Sequence, residues 1–257
     1  MSKRDDINIL YRLSRNLIKI YNFIYWIIIV VSFILLFVQN EVGDVLRILY
    51  ILLTCGYVGL FVVDNCIFWF NAEATRRKES ISNGFGIKFH EFKTDGYYNN
   101  DASPSVIKYA ENIFESTFFS KNIAKKMLIP ESIKFLLVLI LFIISCMTIS
   151  DKETLLTISQ TIFSSYFIIN SIELYFYYCK LDNLYEQFYN EFVTIGNIDD
   201  RQTIVLLKCA IEYEAIKAYY KVRLSEKIFK ANNAIWSSEW ETLSHKFNSD
   251  TNIKEKD

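Results

Sequence analysis

Two carboxylates stand in strongly apolar stretches of the sequence, where a charged side chain is costly. Asp64 lies inside the run GYVGLFVVDNCIFWF, and Glu173 lies just before the aromatic run YFYY. An acid within a membrane span is a candidate functional residue, because its charge must be met by water, a cation or a partner. Two acids at a similar depth would favour cations at the mouth of a pore. Asp64 and Glu173 are therefore the candidate pore or vestibule residues.

A structural role for both acids is the alternative. The carboxylates could reach the membrane interface or pair with nearby cations, for which Arg76, Arg77 and Lys180 are in range. Helical phase favours this alternative for Glu173. At about 100° per residue, Glu173 lies about 200° around its helix from Ser171, which ends a stripe of hydroxyl residues. A single pore would not be lined by both features.

A second group of candidates lies in the segment TRRKESISNGFGIKFHEFKTDGYYNN. Two tyrosines and two asparagines follow an Asp-Gly turn, and two arginines precede it. Such side chains can stack on a nucleotide base and hydrogen-bond to it. The alternative is an ordered loop packed on helices next to the membrane. The ligand or partner-binding candidates are Arg76, Arg77, Tyr97, Tyr98, Asn99 and Asn100.

Signals for catalysis are weak. His90 and His245 are the only histidines, and the five cysteines include no CxxC pair. The GFG triplet lacks the lysine and hydroxyl residue of a phosphate-binding loop. The sequence therefore predicts a protein that is not an enzyme, with no metal and no cofactor. A net charge of −1 argues against direct nucleic-acid binding.

Four apolar stretches are the elements that must position these residues. An apolar stretch of about 18 residues or more predicts a membrane-spanning helix. The stretches cover residues 21–38, 46–70, 135–149 and 154–178. The predicted fold is an all-α integral membrane protein, with four transmembrane helices in two hairpins and mainly helical cytoplasmic segments.

Basic residues predict how these spans are oriented. Lysines and arginines crowd the N-terminal and central segments, whereas the two hairpin loops carry only Arg47 and Lys152. Because positive residues favour the cytoplasmic side, a multi-pass protein with both termini in the cytoplasm is predicted. The predicted domains are an N-terminal helix with the first hairpin, a cytoplasmic segment, the second hairpin and a cytoplasmic helical region, at residues 1–71, 72–131, 132–179 and 180–257.

The cytoplasmic segments carry helical patterns of their own. Residues 106–126 predict a helix, and Asp199 or Asp200 can cap the start of another. That helix carries apolar residues at near-heptad spacing from Ile204 to Phe229, a seam that could pack on its own chain or on a copy. Trp236 and Trp240 then share one helical face. The seam and the small number of spans predict a homo-oligomer.

The central motifs RRKESISNGFG and TDGYYNN, with the aromatic inner ends of the spans, resemble those of four-span effectors of bacterial anti-phage signalling. These are the SMODS-associating, CBASS-like membrane effectors, related in plan to the SLATT two-span group. The resemblance implies a bacterial inner-membrane protein that forms pores or disrupts the bilayer. It also implies a cyclic nucleotide or a soluble cytoplasmic defence protein as the signal, although no nucleotide-sensing module is recognisable. The alternatives are a non-lytic scaffold or sensor that recruits a soluble partner, and a small ion channel or transporter.

Overall fold

A computed structural model describes residues 6–35, 37–38, 41–89, 100, 102–148, 152, 155, 166–195 and 199–252. Within these ranges the ordered structure is helical, and no strand occurs. The α-helices are α1 (Asp6–Leu35), α2 (Glu41–Val63), α3 (Trp69–Phe85), α4 (Val106–Thr148), α5 (Tyr166–Tyr189), α6 (Asp200–Tyr220) and α7 (Glu226–Asn252). Two short π-helical segments, Asp64–Phe68 and Asn190–Ile195, follow α2 and α5.

In the described part of the chain, three helices are long and apolar enough to cross a membrane. They are Asn8–Ser32 within α1, the continuous run Glu41–Phe85, and Val106–Thr148, which is α4. The prediction of a helical membrane protein is confirmed in this form. The fourth apolar stretch lies partly outside the described residues, and the arrangement of four spans in two hairpins stays a prediction.

The chain divides into two compact units, and the first contains α1, α2 and α3 as far as Glu79. Aromatic rings join α1 to α2: the Tyr21 ring lies 5.8 Å from that of Tyr57 and 6.0 Å from that of Phe61. Near the other end of the pair, the Tyr11 ring lies 5.7 Å from the indole of Trp69. The later residue of α1, Tyr21, contacts the earlier residue of the neighbouring helix, Phe61, and the earlier residue, Tyr11, contacts the later one, Trp69. The two helices therefore run antiparallel.

The first π-helical segment keeps the buried face of this unit in register. Asp64 is buried, and the next buried residue, Trp69, follows after five positions rather than three or four. A π turn accommodates one extra residue, and such turns occur often at functional sites. Beyond it, Glu73 and Arg76 continue the buried face at ordinary helical spacing.

The second unit contains residues Ser80–Ile87, α4 through Met147, and helices α5 to α7. Its core surrounds Phe114 of α4. The Phe114 ring lies 5.3 Å from that of Phe188, 5.6 Å from that of Phe192 and 5.1 Å from the indole of Trp240. Trp236 is buried in the same core, which confirms the predicted shared face of the two tryptophans.

Helix α4 is longer than the sequence predicts. The expected cytoplasmic helix and the third apolar stretch form one helix of 43 residues, which passes through Pro130 and through the boundary predicted at residue 131. Proline removes one backbone N–H and strains the preceding turn. The helix continues because its first half is held in the core. Its second half, residues 131–148, is apolar enough to cross a membrane, where a helix satisfies its own backbone groups.

The prediction that one helix carries an apolar seam from Ile204 to Phe229 is wrong. Asp199 caps α6 as expected, in a reciprocal capping box with Gln202. However, α6 ends at Tyr220, because Lys221 adopts the left-handed conformation (φ 49°) and donates its N–H to Lys217 O. The buried face of α6 lies on the other side of the helix, which leaves Ile204 68% and Ile211 60% exposed.

Candidate functional site

Asp64 is enclosed by its own chain. It opens the first π-helical segment, which packs on α1, and its exposure is 0%. Its neighbours Val62, Val63 and Ile67 point outward and are exposed. The acid therefore lies inside the α1–α2 pair and not on the face that lipid would cover. Its predicted place in a vestibule shared between chains stays a prediction.

The level of Asp64 along this pair follows from the ring contacts on either side. Tyr11 opposes Trp69, and Tyr21 opposes Phe61, so Asp64 faces the part of α1 between the two tyrosines. Ser14, which lies in that part of α1, is also fully buried. A carboxylate and a hydroxyl thus share the interior of this pair. At this level Val62, Val63 and Ile67 are exposed on one helix, and Arg12, Asn16 and Lys19 are exposed on the outside of α1.

A buried ion pair lies further along the same buried face, between Glu73 and Arg76. Arg76 Nε donates to Glu73 Oε2 at 2.8 Å, with side-chain exposures of 6% and 4%. Tyr11 Oη donates to the other oxygen, Glu73 Oε1, at 2.7 Å. The network therefore ties the N-terminal part of α1 to α3. Sequence reasoning singled out Arg76 but missed Glu73 and Tyr11; the i,i+3 spacing of Glu73 and Arg76 was the available signal.

The two candidate arginines have different environments. Arg76 is buried with Glu73, whereas Arg77 is half-buried. At about 1.5 Å per residue, Arg76 lies about 18 Å further along the helix than Asp64. Arg76 therefore pairs with Glu73 and not with Asp64, and the buried carboxylates of Asp64 and Glu73 lie at separate levels.

The tyrosine–asparagine loop is described only at its end, since Tyr97, Tyr98 and Asn99 lie outside the described residues. Asn100 Nδ2 donates to Glu111 Oε2 at 2.7 Å and to Asn112 Oδ1 at 3.4 Å. Asn112 Nδ2 in turn donates to Asn83 Oδ1 at 2.8 Å. The amide of Asn100 thus contacts α4, and the role proposed for the other loop candidates stays a prediction.

Glu173 lies on α5 in the second unit and is half-buried. Its carboxylate is within electrostatic reach of Arg223 and Lys221, which follow α6 in the sequence. Sequence reasoning offered Lys180 as its partner and missed these two, because they stand about 50 residues further along the chain. Asp64 belongs to the first unit and Glu173 to the second, and their similar depth in a membrane stays a prediction.

The described residues include no group of three or more His, Cys, Asp or Glu side chains that could hold a metal ion. Cys209 is buried on α6, and this burial raises the pKa of its thiol to about 11. A thiol with so high a pKa is a poor nucleophile near neutral pH. The polar groups that the described residues bury include the carboxylates of Asp64 and Glu73.

Comparison with known proteins gives no relative: no family model, no curated protein and no solved structure matches the chain. The resemblance to anti-phage effectors therefore rests on the layout of the helices and on the motifs between residues 76 and 100.

Proposed function

We propose that the chain is a membrane effector of a bacterial anti-phage defence system. On a cytoplasmic signal, it forms pores in the inner membrane or disrupts it. One observation carries the proposal. Helix α4 is one continuous helix, about 64 Å long at 1.5 Å per residue. Its first half lies in the core of the second unit, and its second half carries exposed apolar side chains.

A helix that is shared by the core and the membrane can transmit a signal from the core into the bilayer. Residues 131–148 span about 27 Å, close to the hydrocarbon thickness of about 30 Å. Because the same helix forms the centre of the core, a ligand or protein that repacks the core also shifts the membrane half. The proposed signal is a cyclic nucleotide or a soluble defence protein, and direct binding of nucleic acid is not part of the proposal.

Asp64 supplies the polar element that a conducting state needs. In the closed arrangement the carboxylate is enclosed between α1 and α2. Separation of this pair would bring water to the carboxylate, and a negative charge at the mouth of a pore favours cations. The bond from Tyr11 to Glu73 joins α1 to α3, and Arg76 pairs with the same carboxylate from within α3. The proposed activity involves no catalysis and no cofactor.

The proposed arrangement in the membrane has four spans, with both termini in the cytoplasm, and several copies around a common pore. The outward face of α6 supports assembly, since Ile204 and Ile211 on this face are largely exposed in the single chain. The same face also supports the competing proposal, a non-lytic scaffold or sensor that holds a soluble partner at the bilayer. A small channel or transporter is a further alternative.

Production of the full chain in bacterial cells separates these proposals. An effector lowers viable counts when it is overproduced or when its signal is present, whereas a scaffold leaves the counts unchanged in both cases. Asp64→Asn should restore viability at an equal protein level. The matched control is Asp44→Asn at the other end of α2, where Asp44 is exposed and pairs with Arg47 at 2.6 Å. Toxicity that is equal in all three proteins would contradict the role of Asp64.

A further inference from the structure

We propose that the connection between α6 and α7 is a docking surface for anionic phospholipid headgroups of the bilayer that α4 enters. This surface, named the basic turn, comprises residues 221–225 and the first turns of α7. Its cations are Lys221, Arg223, Lys227 and Lys230. The proposal requires only that α4 crosses a membrane, so it goes beyond the proposed effector function and does not rest on it.

Contacts with α4 place the basic turn where the apolar half of that helix begins. The N–H of Ser225 donates to Met127 Sδ at 3.4 Å, and Lys126 Nζ donates to Asn232 Oδ1 at 2.7 Å. Two residues beyond Met127, Ile129 is 68% exposed, and Ile133 is exposed one turn later. At about 1.5 Å per residue, the basic turn therefore lies within about 10 Å of the first exposed apolar turn.

Contacts with α5 give the same level independently. The ring of Tyr220, at the end of α6, lies 6.1 Å from that of Tyr177. Beside Tyr177, Tyr175 and Phe176 are exposed. Exposed aromatic rings of this kind mark the interface between hydrocarbon and water in membrane proteins. The basic turn is thus level with an aromatic belt on one neighbouring helix and with the start of the apolar surface on another.

The chemistry of the turn suits phosphate groups at a surface. Lys221 and Lys227 are exposed, and Arg223 Nη1 donates to Lys221 O at 2.7 Å, which shapes the turn. Lys230 pairs with Glu226 at 2.6 Å. Next to these cations Tyr219 is 79% exposed, and an aromatic ring beside lysines is a common pair at the headgroup layer.

The charge balance and the exposure together favour lipid as the occupant. Four cations face two carboxylates, those of Glu226 and Glu173, so the turn carries a net positive charge. Juxtamembrane clusters of this sign attract the anionic lipids of a leaflet. Lys221 and Lys227 are exposed on the turn, so a planar layer of headgroups can reach both.

Hydrogen–deuterium exchange on the full chain in lipid nanodiscs tests the proposal. Exchange of the segment 221–230 is compared in phosphatidylcholine alone and in phosphatidylcholine with phosphatidylglycerol. The anionic lipid should slow exchange about fivefold or more, the factor that corresponds to one lysine at an anionic surface. The segment 199–208 is the internal control, because it lies at the opposite end of α6, about 30 Å away.

Paired variants assign the effect to the cations. Lys221→Gln with Lys227→Gln should remove the lipid dependence, whereas Arg201→Gln with Lys208→Gln removes as much charge from the far end and should leave it intact. If Lys221→Gln with Lys227→Gln lowers the unfolding temperature, the single variant Lys227→Gln is used, because Lys227 is exposed on α7. It should still halve the slowing of exchange that phosphatidylglycerol causes in segment 221–230. Equal exchange in both lipids, or an equal change in segment 199–208, would overturn the proposal. Protection by inorganic phosphate in phosphatidylcholine nanodiscs would overturn it in favour of a free-phosphate site.

Discussion

Replacing Arg76 with leucine is expected to destabilise the first unit strongly. The change removes the buried cation that Glu73 pairs with at 2.8 Å, while the carboxylate stays buried. Loss of one partner from a buried ion pair costs about 3–5 kcal/mol, because the remaining charge is left in a poorly solvated place. For a chain of this size, 1 kcal/mol corresponds to about 2–4 °C, so the unfolding temperature should fall by roughly 6–20 °C.

The assay is thermal unfolding of the detergent-solubilised protein, followed by circular dichroism, and the neighbouring arginine is the matched control. Arg77→Leu removes the same charge from a half-buried position and should cost about 0.5 kcal/mol or less. The double variant Glu73→Leu with Arg76→Leu removes both charges and should recover part of the loss, since the Tyr11 hydroxyl then also loses its acceptor. Tyr11→Phe, which deletes one bond to the carboxylate, should cost about 1.5–3 kcal/mol.

Two results would refute this reasoning. If Arg76→Leu unfolds at the same temperature as Arg77→Leu, the pair contributes nothing to the unit. If the double variant is as unstable as Arg76→Leu alone, the cost comes from lost packing of the arginine side chain and not from an uncompensated charge.

Four further predictions concern topology, assembly, thiol reactivity and the central loop. A reporter that is active only in the periplasm should stay silent when fused after the last residue, because the basic segments favour a cytoplasmic C-terminus; an active reporter would contradict the orientation. Ile204→Glu with Ile211→Glu should lower the mass of the detergent-solubilised protein, since a charge on the exposed face of α6 opposes a symmetric contact; an unchanged mass would place the contact elsewhere. The Cys209 thiol should resist maleimide at neutral pH, because it is fully buried and burial raises its pKa to about 11; rapid labelling of Cys209 in the folded protein near pH 7, read by mass spectrometry of its peptide, would contradict this. Tyr97→Ala with Tyr98→Ala should abolish toxicity while membrane insertion is retained; loss of the folded protein would favour the packed-loop alternative.

Local signals were sufficient to predict several elements. Long apolar stretches predicted the membrane-crossing helices, because hydrocarbon leaves a backbone few other ways to satisfy its polar groups. The cap of α6 was predictable as well, since Asp199 and Gln202 bond within one turn. Trp236 and Trp240 shared a predicted face, which the core then buried.

The features that were missed depend on contacts between distant segments or on backbone states without a marker residue. Lys221 ends α6 in the left-handed conformation, where glycine is the usual signal. The path of α4 through Pro130 contradicts a rule that holds for most helix interiors. Tyr11 and Glu73 are 62 positions apart in the sequence, so their hydrogen bond could be predicted only with the knowledge that α1 packs against α3.

The membrane potential of producing cells tests the central claim most directly. A voltage-sensitive dye should report depolarisation after the full chain reaches the membrane and before growth stops, because permeabilisation is the proposed cause of toxicity. The change should be blunted by Asp64→Asn but not by Asp44→Asn. A membrane potential that is maintained through growth arrest, with the protein at full level in the membrane, would contradict the claim that this chain is a membrane-permeabilising effector.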